Sequence, residues 1–209
     1  GSFAPKVDFT TGDNPITVEI GDIDGDGKPE LVTPNRTSTT LAVHRNTTTG
    51  GVIDGSSFAA KVDFTATAGC QKVLLIDVDG DGKLDAAVTN QTGTLSLFRN
   101  TASSGTINAS SLATRVDFTT AGGGDPLDMA AGDFDGDGKT DLATVNDFTN
   151  TAAVFKNTSV TGVINSSTLA TKIDFPTGDT PPGIAIADID GDGKLDLAVN
   201  SQTPNTFSV

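Results

Sequence analysis

A nine-residue acidic segment occurs four times in register, and its spacing is the strongest constraint on how this chain can fold. Asp22-Ile-Asp-Gly-Asp-Gly-Lys-Pro-Glu30 returns as Asp77–Asp85, Asp133–Asp141 and Asp188–Asp196. The first aspartates are 55, 56 and 55 residues apart. A period of this length marks a repeat architecture, in which each unit buries its apolar surface against its neighbours.

Every unit has the same parts in the same order. An opening segment comes first: Phe3–Phe9, Phe58–Phe64, Leu112–Phe118 and Leu169–Phe175. After a variable Gly/Thr/Pro turn, a short apolar strand leads into the acidic segment: Ile16–Ile20, Val73–Ile76, Leu127–Ala131 and Ile184–Ala187. A second strand follows the segment directly, from Leu31, Ala86, Leu142 and Leu197. A third lies at Leu41–His44, Leu95–Phe98, Ala152–Phe155 and Phe207–Val209. Helix formers are scarce, and Gly, Thr, Asn and Asp abound, as suits short strands joined by tight turns.

The expectation is an all-β fold, a β-propeller of four-stranded antiparallel blades stacked face to face. A solenoid is the main competitor, but its coils are usually shorter than this repeat. The repeats fall at about 3–57, 58–111, 112–168 and 169–209, within a single domain spanning 1–209. Ring closure is expected through pairing of the N-terminal strand with the C-terminal blade. The motif count leaves open a four-bladed ring, a homodimer completing an eight-bladed ring, and a fragment of a longer array.

The formal net charge is −14, and 16 of the 27 acidic residues sit in the four segments. Such a charge argues against nucleic acid or an anionic membrane as partner. No apolar stretch is long enough to span a membrane. Because the acidity recurs in register, the carboxylates read as cation ligands. Four divalent cations would bring the net charge to about −6. Cys70 is the single cysteine, so no intrachain disulfide can form. Gly1-Ser2 reads as a cleavage scar, with any secretion signal lying outside the sequence.

Aspartates at positions one, three and five of a loop place three hard oxygen donors around one centre, and calcium accepts six to eight oxygens. Glycines at positions four and six permit the tight wrap. Position seven is always lysine, whose ammonium cannot ligate a cation, so its backbone carbonyl is the expected donor. The ninth carboxylate can close the site in bidentate fashion. Magnesium retains more water, and zinc prefers thiolate or imidazole clusters, which are missing. An EF-hand is excluded, because it needs a carboxylate at position twelve and flanking helices. Position twelve here is Thr33, Val88, Thr144 or Val199.

The Asp-x-Asp-Gly-Asp-Gly-Lys-x-Asp loop between two short strands resembles the FG-GAP, or integrin-α-like, β-propeller repeat. The Val-Asp-Phe opening and Asn-rich third strand resemble its bacterial VCBS-type variant. The resemblance covers essentially the whole chain. It implies one Ca2+ per repeat, about four in all, in the loop between the two innermost strands. The first site would comprise Asp22, Asp24, Asp26, the Lys28 carbonyl and Glu30. The second would comprise Asp77, Asp79, Asp81, the Lys83 carbonyl and Asp85. The third would comprise Asp133, Asp135, Asp137, the Lys139 carbonyl and Asp141. The fourth would comprise Asp188, Asp190, Asp192, the Lys194 carbonyl and Asp196. Glu30 departs from the pattern, and its extra methylene is expected to shift or weaken the first site. The Phe-Gly and Gly-Ala-Pro words that name the family are missing.

Outside the repeated pattern, no pairing of a nucleophile with a base is evident, and no catalytic residue is assigned. His44 takes the place of Phe98 and Phe155 and reads as a packing substitution. Cys70 stands where other units have Pro15, Pro126 and Pro181, and reads as a turn residue. Sequons at Asn35, Asn46, Asn90, Asn108, Asn157 and Asn165 are weak signals in so Asn-rich a chain. The turns that vary most lie opposite the acidic loops, and Phe148 is the one aromatic among them. The expected function is a non-catalytic, calcium-stabilised scaffold for adhesion or protein interaction. It would be extracellular, cell-surface or periplasmic, with a protein or glycan ligand on that opposite face. A lectin is the alternative, although the chain lacks Trp and Tyr. A fragment of a larger propeller enzyme or surface protein is a second alternative.

Overall fold

The computed structural model describes residues 4–120 and 125–209. Phe3, at the start of the first opening segment, lies outside the described residues, as does the middle of the turn from Thr119 to Pro126. The described residues are all-β, in four antiparallel sheets that pack one on the next. None of them forms a helix long and apolar enough to cross a membrane.

The first sheet runs β1 (Glu19–Gly21), β2 (Glu30–Asn35), β3 (Thr40–His44) and β4 (Val62–Thr65). The second runs β5 (Cys70–Ile76), β6 (Asp85–Asn90), β7 (Thr94–Phe98) and β8 (Val116–Thr119). The third runs β9 (Pro126–Gly132), β10 (Asp141–Asn146), β11 (Thr151–Phe155) and β12 (Ile173–Pro176). The fourth holds three strands, β13 (Ile184–Ala187), β14 (Asp196–Ser201) and β15 (Thr206–Ser208). Each acidic loop joins the first and second strands of its sheet. The Val/Ile-Asp-Phe segment that opens one repeat is therefore the outer strand of the sheet before it.

The central strands show why the units need one another. Every residue of β6 is buried, as is every residue of β10. Such strands have no solvent face, so polar alternation is lost and small residues such as Ala86 and Ala87 fit between layers. Val32, Leu41 and Val43 of the first sheet meet Val73, Val88 and Phe98 of the second. Leu95, Leu97 and Phe118 of the second meet Met129, Leu142 and Phe155 of the third. The last interface is thinner, with Val145 and Ala152 against Val199. At the end of β9, a Cβ on Gly132 would lie 2.5 Å from Leu195 Cδ1 and 2.8 Å from Ile186 Cδ1, so any larger residue there would push these two side chains aside.

Two sequence expectations need correction. The N-terminal segment does not complete the fourth sheet. Residues 4–10 form no strand, and β15 has no outer neighbour among the described residues. The segment is held at the opposite end of the stack instead. There Phe9 packs edge-on against Phe58 with centroids 5.0 Å apart, and His44 Nε2 donates to the Thr10 carbonyl at 2.9 Å. Cys70 is no turn residue. It begins β5, is fully buried in the first core, and contacts the Thr40 carbonyl through Sγ.

Candidate metal centres

Each acidic loop is wound by its own side chains. In the second loop, Asp77 Oδ1 accepts the Gly80 and Asp81 amides at 2.8 and 3.2 Å, and Oδ2 accepts the Gly82 amide at 2.9 Å. Asp81 Oδ1 in turn accepts the Lys83 amide at 3.0 Å. The third and fourth loops repeat these bonds. Gly80 and Gly82 take φ of 69° and 85°, a region in which any side chain is strained.

This winding brings the first, third and ninth carboxylates together in every copy. One oxygen from each of Asp22, Asp24 and Glu30 lies within 4.8 Å of the others. The same holds for Asp77, Asp79 and Asp85, for Asp133, Asp135 and Asp141, and for Asp188, Asp190 and Asp196. The fifth-position aspartates, Asp26, Asp81, Asp137 and Asp192, stand outside these groups of three and mainly brace the loop. Lys83 and Lys139 extend their ammonium groups to the carbonyls of Ala102 and Ser159, and Lys194 leans on Asp192. For Lys28, the visible bond is that of its backbone amide to Asp26.

The ninth carboxylate has a second task that sequence reasoning missed. Asp85 accepts the Val78 amide through Oδ2 at 3.0 Å and the Asn100 amide through Oδ1 at 2.8 Å. It thereby ties the start of its loop to the end of the third strand. Glu30 makes the equivalent bonds to Ile23 and Asn46, so its extra methylene leaves these two ties in place. Burial pushes the Asp85 carboxyl up to about 7, against the opposing pull of those two amides. Glu30 is raised for the same reason.

A recurring cation was also missed. Arg45 Nε donates to Asp24 Oδ2 at 3.0 Å and Nη2 to Asp26 Oδ2 at 3.3 Å. Arg99 makes the same fork to Asp79 and Asp81 at 2.8 and 3.1 Å. In the third repeat Lys156 pairs with Asp135 and Asp137, which hold its ammonium pKa above the usual lysine range. The signal was present as Arg45-Asn46-Thr47, Arg99-Asn100-Thr101 and Lys156-Asn157-Thr158, each directly after a third strand.

Neighbouring repeats cover the first two loops. Asn100 Nδ2 donates to the Ile23 carbonyl of the preceding repeat at 2.8 Å, and Gly105 N to the Asp24 carbonyl at 3.1 Å. Asn157 and Gly162 do the same for Val78 and Asp79. Among the described residues, no such bond reaches the third or fourth loop. Asp135, Asp188 and Asp190 are accordingly exposed.

The donor set suits a hard divalent cation. Three carboxylates in close approach repel one another, and one guanidinium or ammonium per loop offsets only part of that repulsion. Among the described residues, none of the four groups includes His44 or Cys70, so a softer metal finds no imidazole or thiolate in them.

The other singled-out residues fall into place around this frame. The two sets of variable turns meet at the end opposite the loops, where Arg36 N bonds the Asn14 carbonyl and Gln91 N the Gly69 carbonyl. Phe148 projects there, 75% exposed. Asn35, Asn46, Asn90 and Asn157 are buried, which removes four of the six sequons from solvent. Among the isolated acids, Asp128 pairs with Lys72 at 3.5 Å across two adjacent inner strands.

A search of curated proteins finds no match to the chain. The family model described as FG-GAP-like repeat matches residues 77–144 and again residues 133–199. Each matched stretch runs from one acidic loop through the next, the same unit that the sheets and their loops define. This chain belongs to the FG-GAP-like repeat family.

Proposed function

We propose that the chain is a calcium-stabilised, non-catalytic β-propeller scaffold for adhesion or protein interaction outside the cytoplasm. The observation that carries this reading is the convergence of three carboxylates in all four loops. Asp22, Asp24 and Glu30, with their equivalents, would hold one Ca2+ per repeat, and the bound ion would offset the mutual repulsion of the three carboxylates. The cation supplies no chemistry to a substrate. It fastens the first strand of a sheet to the second, and through the ninth carboxylate to the end of the third.

Extracellular modules with such sites bind calcium at about 0.1–1 mM, which is why we place the protein where calcium is that abundant. The ligand-binding face would be the one opposite the loops, where the turns differ between repeats and Phe148 is exposed. Calorimetric titration of calcium into chelator-treated protein tests the reading. It predicts about four ions per chain and one fewer after Asp77→Ala with Asp79→Ala. Heats no greater than dilution would remove it.

A further inference from the structure

Two arms, the chain segments that follow β7 and β11, join the first three acidic loops to one another. Segment 99–105 begins on the second loop. Arg99 forks to Asp79 and Asp81, the Asn100 amide bonds Asp85 Oδ1, and Lys83 Nζ donates to the Ala102 carbonyl at 2.9 Å. The same segment ends on the first loop. Asn100 Nδ2 bonds the Ile23 carbonyl, Ser104 Oγ the Gly25 carbonyl at 3.2 Å, and Gly105 N the Asp24 carbonyl. Three consecutive carbonyls of one loop thus rest on an arm rooted in another.

Segment 156–162 repeats the arrangement one unit further on. Its root is held by the third loop: Lys156 pairs with Asp135 and Asp137, Asn157 N bonds Asp141, and Lys139 Nζ donates to the Ser159 carbonyl at 2.7 Å. Its far end lies on the second loop, where Asn157 Nδ2 and Ser159 Oγ both bond the Val78 carbonyl and Gly162 N bonds the Asp79 carbonyl. A continuous path therefore runs from the third loop through the second to the first. Ala102 and Ser159 are buried, whereas Lys83 and Lys139 are exposed residues. A lysine that merely solvated its loop would leave its ammonium in water. These two give theirs to a main-chain carbonyl of an arm.

We propose that Lys83 and Lys139 are positioning residues that couple neighbouring cation sites, so that an ion in one loop raises the affinity of the loop before it. This coupling rests on the reading of the loops as calcium sites. An empty loop holds three carboxylates that repel one another, and an ion that offsets their repulsion favours the closed loop. Closure fixes Asp79, Asp81 and Lys83, the residues that hold the arm. The fixed arm in turn pins the backbone of Asp24, a member of the first group of three. Part of the ordering that the first site needs is then already in place. The coupling is reciprocal, because linkage requires an ion in the first loop to raise the affinity of the second by the same factor.

Amide hydrogen exchange of the full chain across a calcium titration, read separately for residues 22–30 and 77–85, tests this. Lys83→Met removes the ammonium at an exposed position, so the chain should still fold. The calcium midpoint for protecting residues 22–30 should rise about fivefold or more, and Lys83→Arg should recover part of the loss. Loss of a positive charge by itself would act in the opposite sense, tightening both loops. Asp77→Ala removes a carboxylate of the second group without touching the arm. It should raise the same first-loop midpoint, and raise it much less when Lys83→Met is already present. A first-loop midpoint indifferent to both substitutions overturns the coupling while leaving the calcium reading intact. Additive shifts from the two substitutions also overturn it, since they assign Lys83 to structure alone. Calcium that protects neither loop overturns both readings.

Discussion

Arg99 Nε lies 2.8 Å from Asp79 Oδ2, so a guanidinium at the end of one strand grips a fully buried carboxylate in the loop between two others. The same guanidinium reaches Asp81 at 3.1 Å. The fork keeps the second loop closed against the mutual repulsion of its acids. A bound cation would perform part of that task, so the arginine should matter most in its absence.

Arg99→Gln is therefore expected to destabilise the calcium-free protein more than the calcium-loaded one. The Arg99 side chain is a third exposed, so solvent screening limits its contribution to about 1–2 kcal/mol, below that of a fully buried pair. Paired thermal melts in EDTA and in calcium measure the difference. Equal losses in the two conditions would assign Arg99 to packing alone.

Asn100 offers a test of how the repeats are joined. Its amide bonds the Ile23 carbonyl of the preceding repeat and the Leu84 carbonyl of its own, and its Oδ1 accepts the Ala102 amide. Asn46 keeps the within-repeat bonds, to Pro29 and Thr48, and among the described residues makes no bond to another repeat. Asn100→Ala should cost about 2–4 kcal/mol, because it strands buried partners, and Asn46→Ala about 1 kcal/mol less. Urea unfolding of the two variants supplies the comparison, and equal losses would show that the inter-repeat bond contributes nothing.

How much of this was legible in the sequence depended on which signals repeat. The Asp-x-Asp-Gly-Asp-Gly-Lys words exposed the loops and the unit, and Val-Asp-Phe marked the outer strands. The role of Asp85 as an amide acceptor stayed hidden, since a carboxylate at position nine looks the same whether it binds an ion or ties two backbone segments. Arg99 and Asn100 were visible as a recurring pair but lie 14 and 15 residues past the end of the loop at Asp85, and only the pairing of β6 with β7 returns them to it. Cys70 was misread because prolines occupy its place in other repeats. Proline tolerates the first residue of a strand, so the substitution did not mark a turn.

The burial of Cys70 has its own consequence. Desolvation pushes its thiol pKa up, so little thiolate is present near pH 8. The folded protein should react with a thiol reagent such as Ellman's at a rate set by unfolding, and release one equivalent promptly in denaturant. Rapid reaction of the native protein would contradict the packing of β5 against the first sheet.

The central claim is that the four loops are calcium fastenings, and the melting temperature of chelator-treated protein, followed as calcium is added, tests it most directly. A cation that binds only the folded state stabilises it by roughly 2.7 kcal/mol per site at 100 times its dissociation constant. For a chain of this length that is on the order of 5–10 °C per saturated site. A graded rise with calcium is expected, with a much smaller one for magnesium at equal concentration and reversal by EDTA. The same melting temperature in millimolar calcium and in EDTA would contradict it.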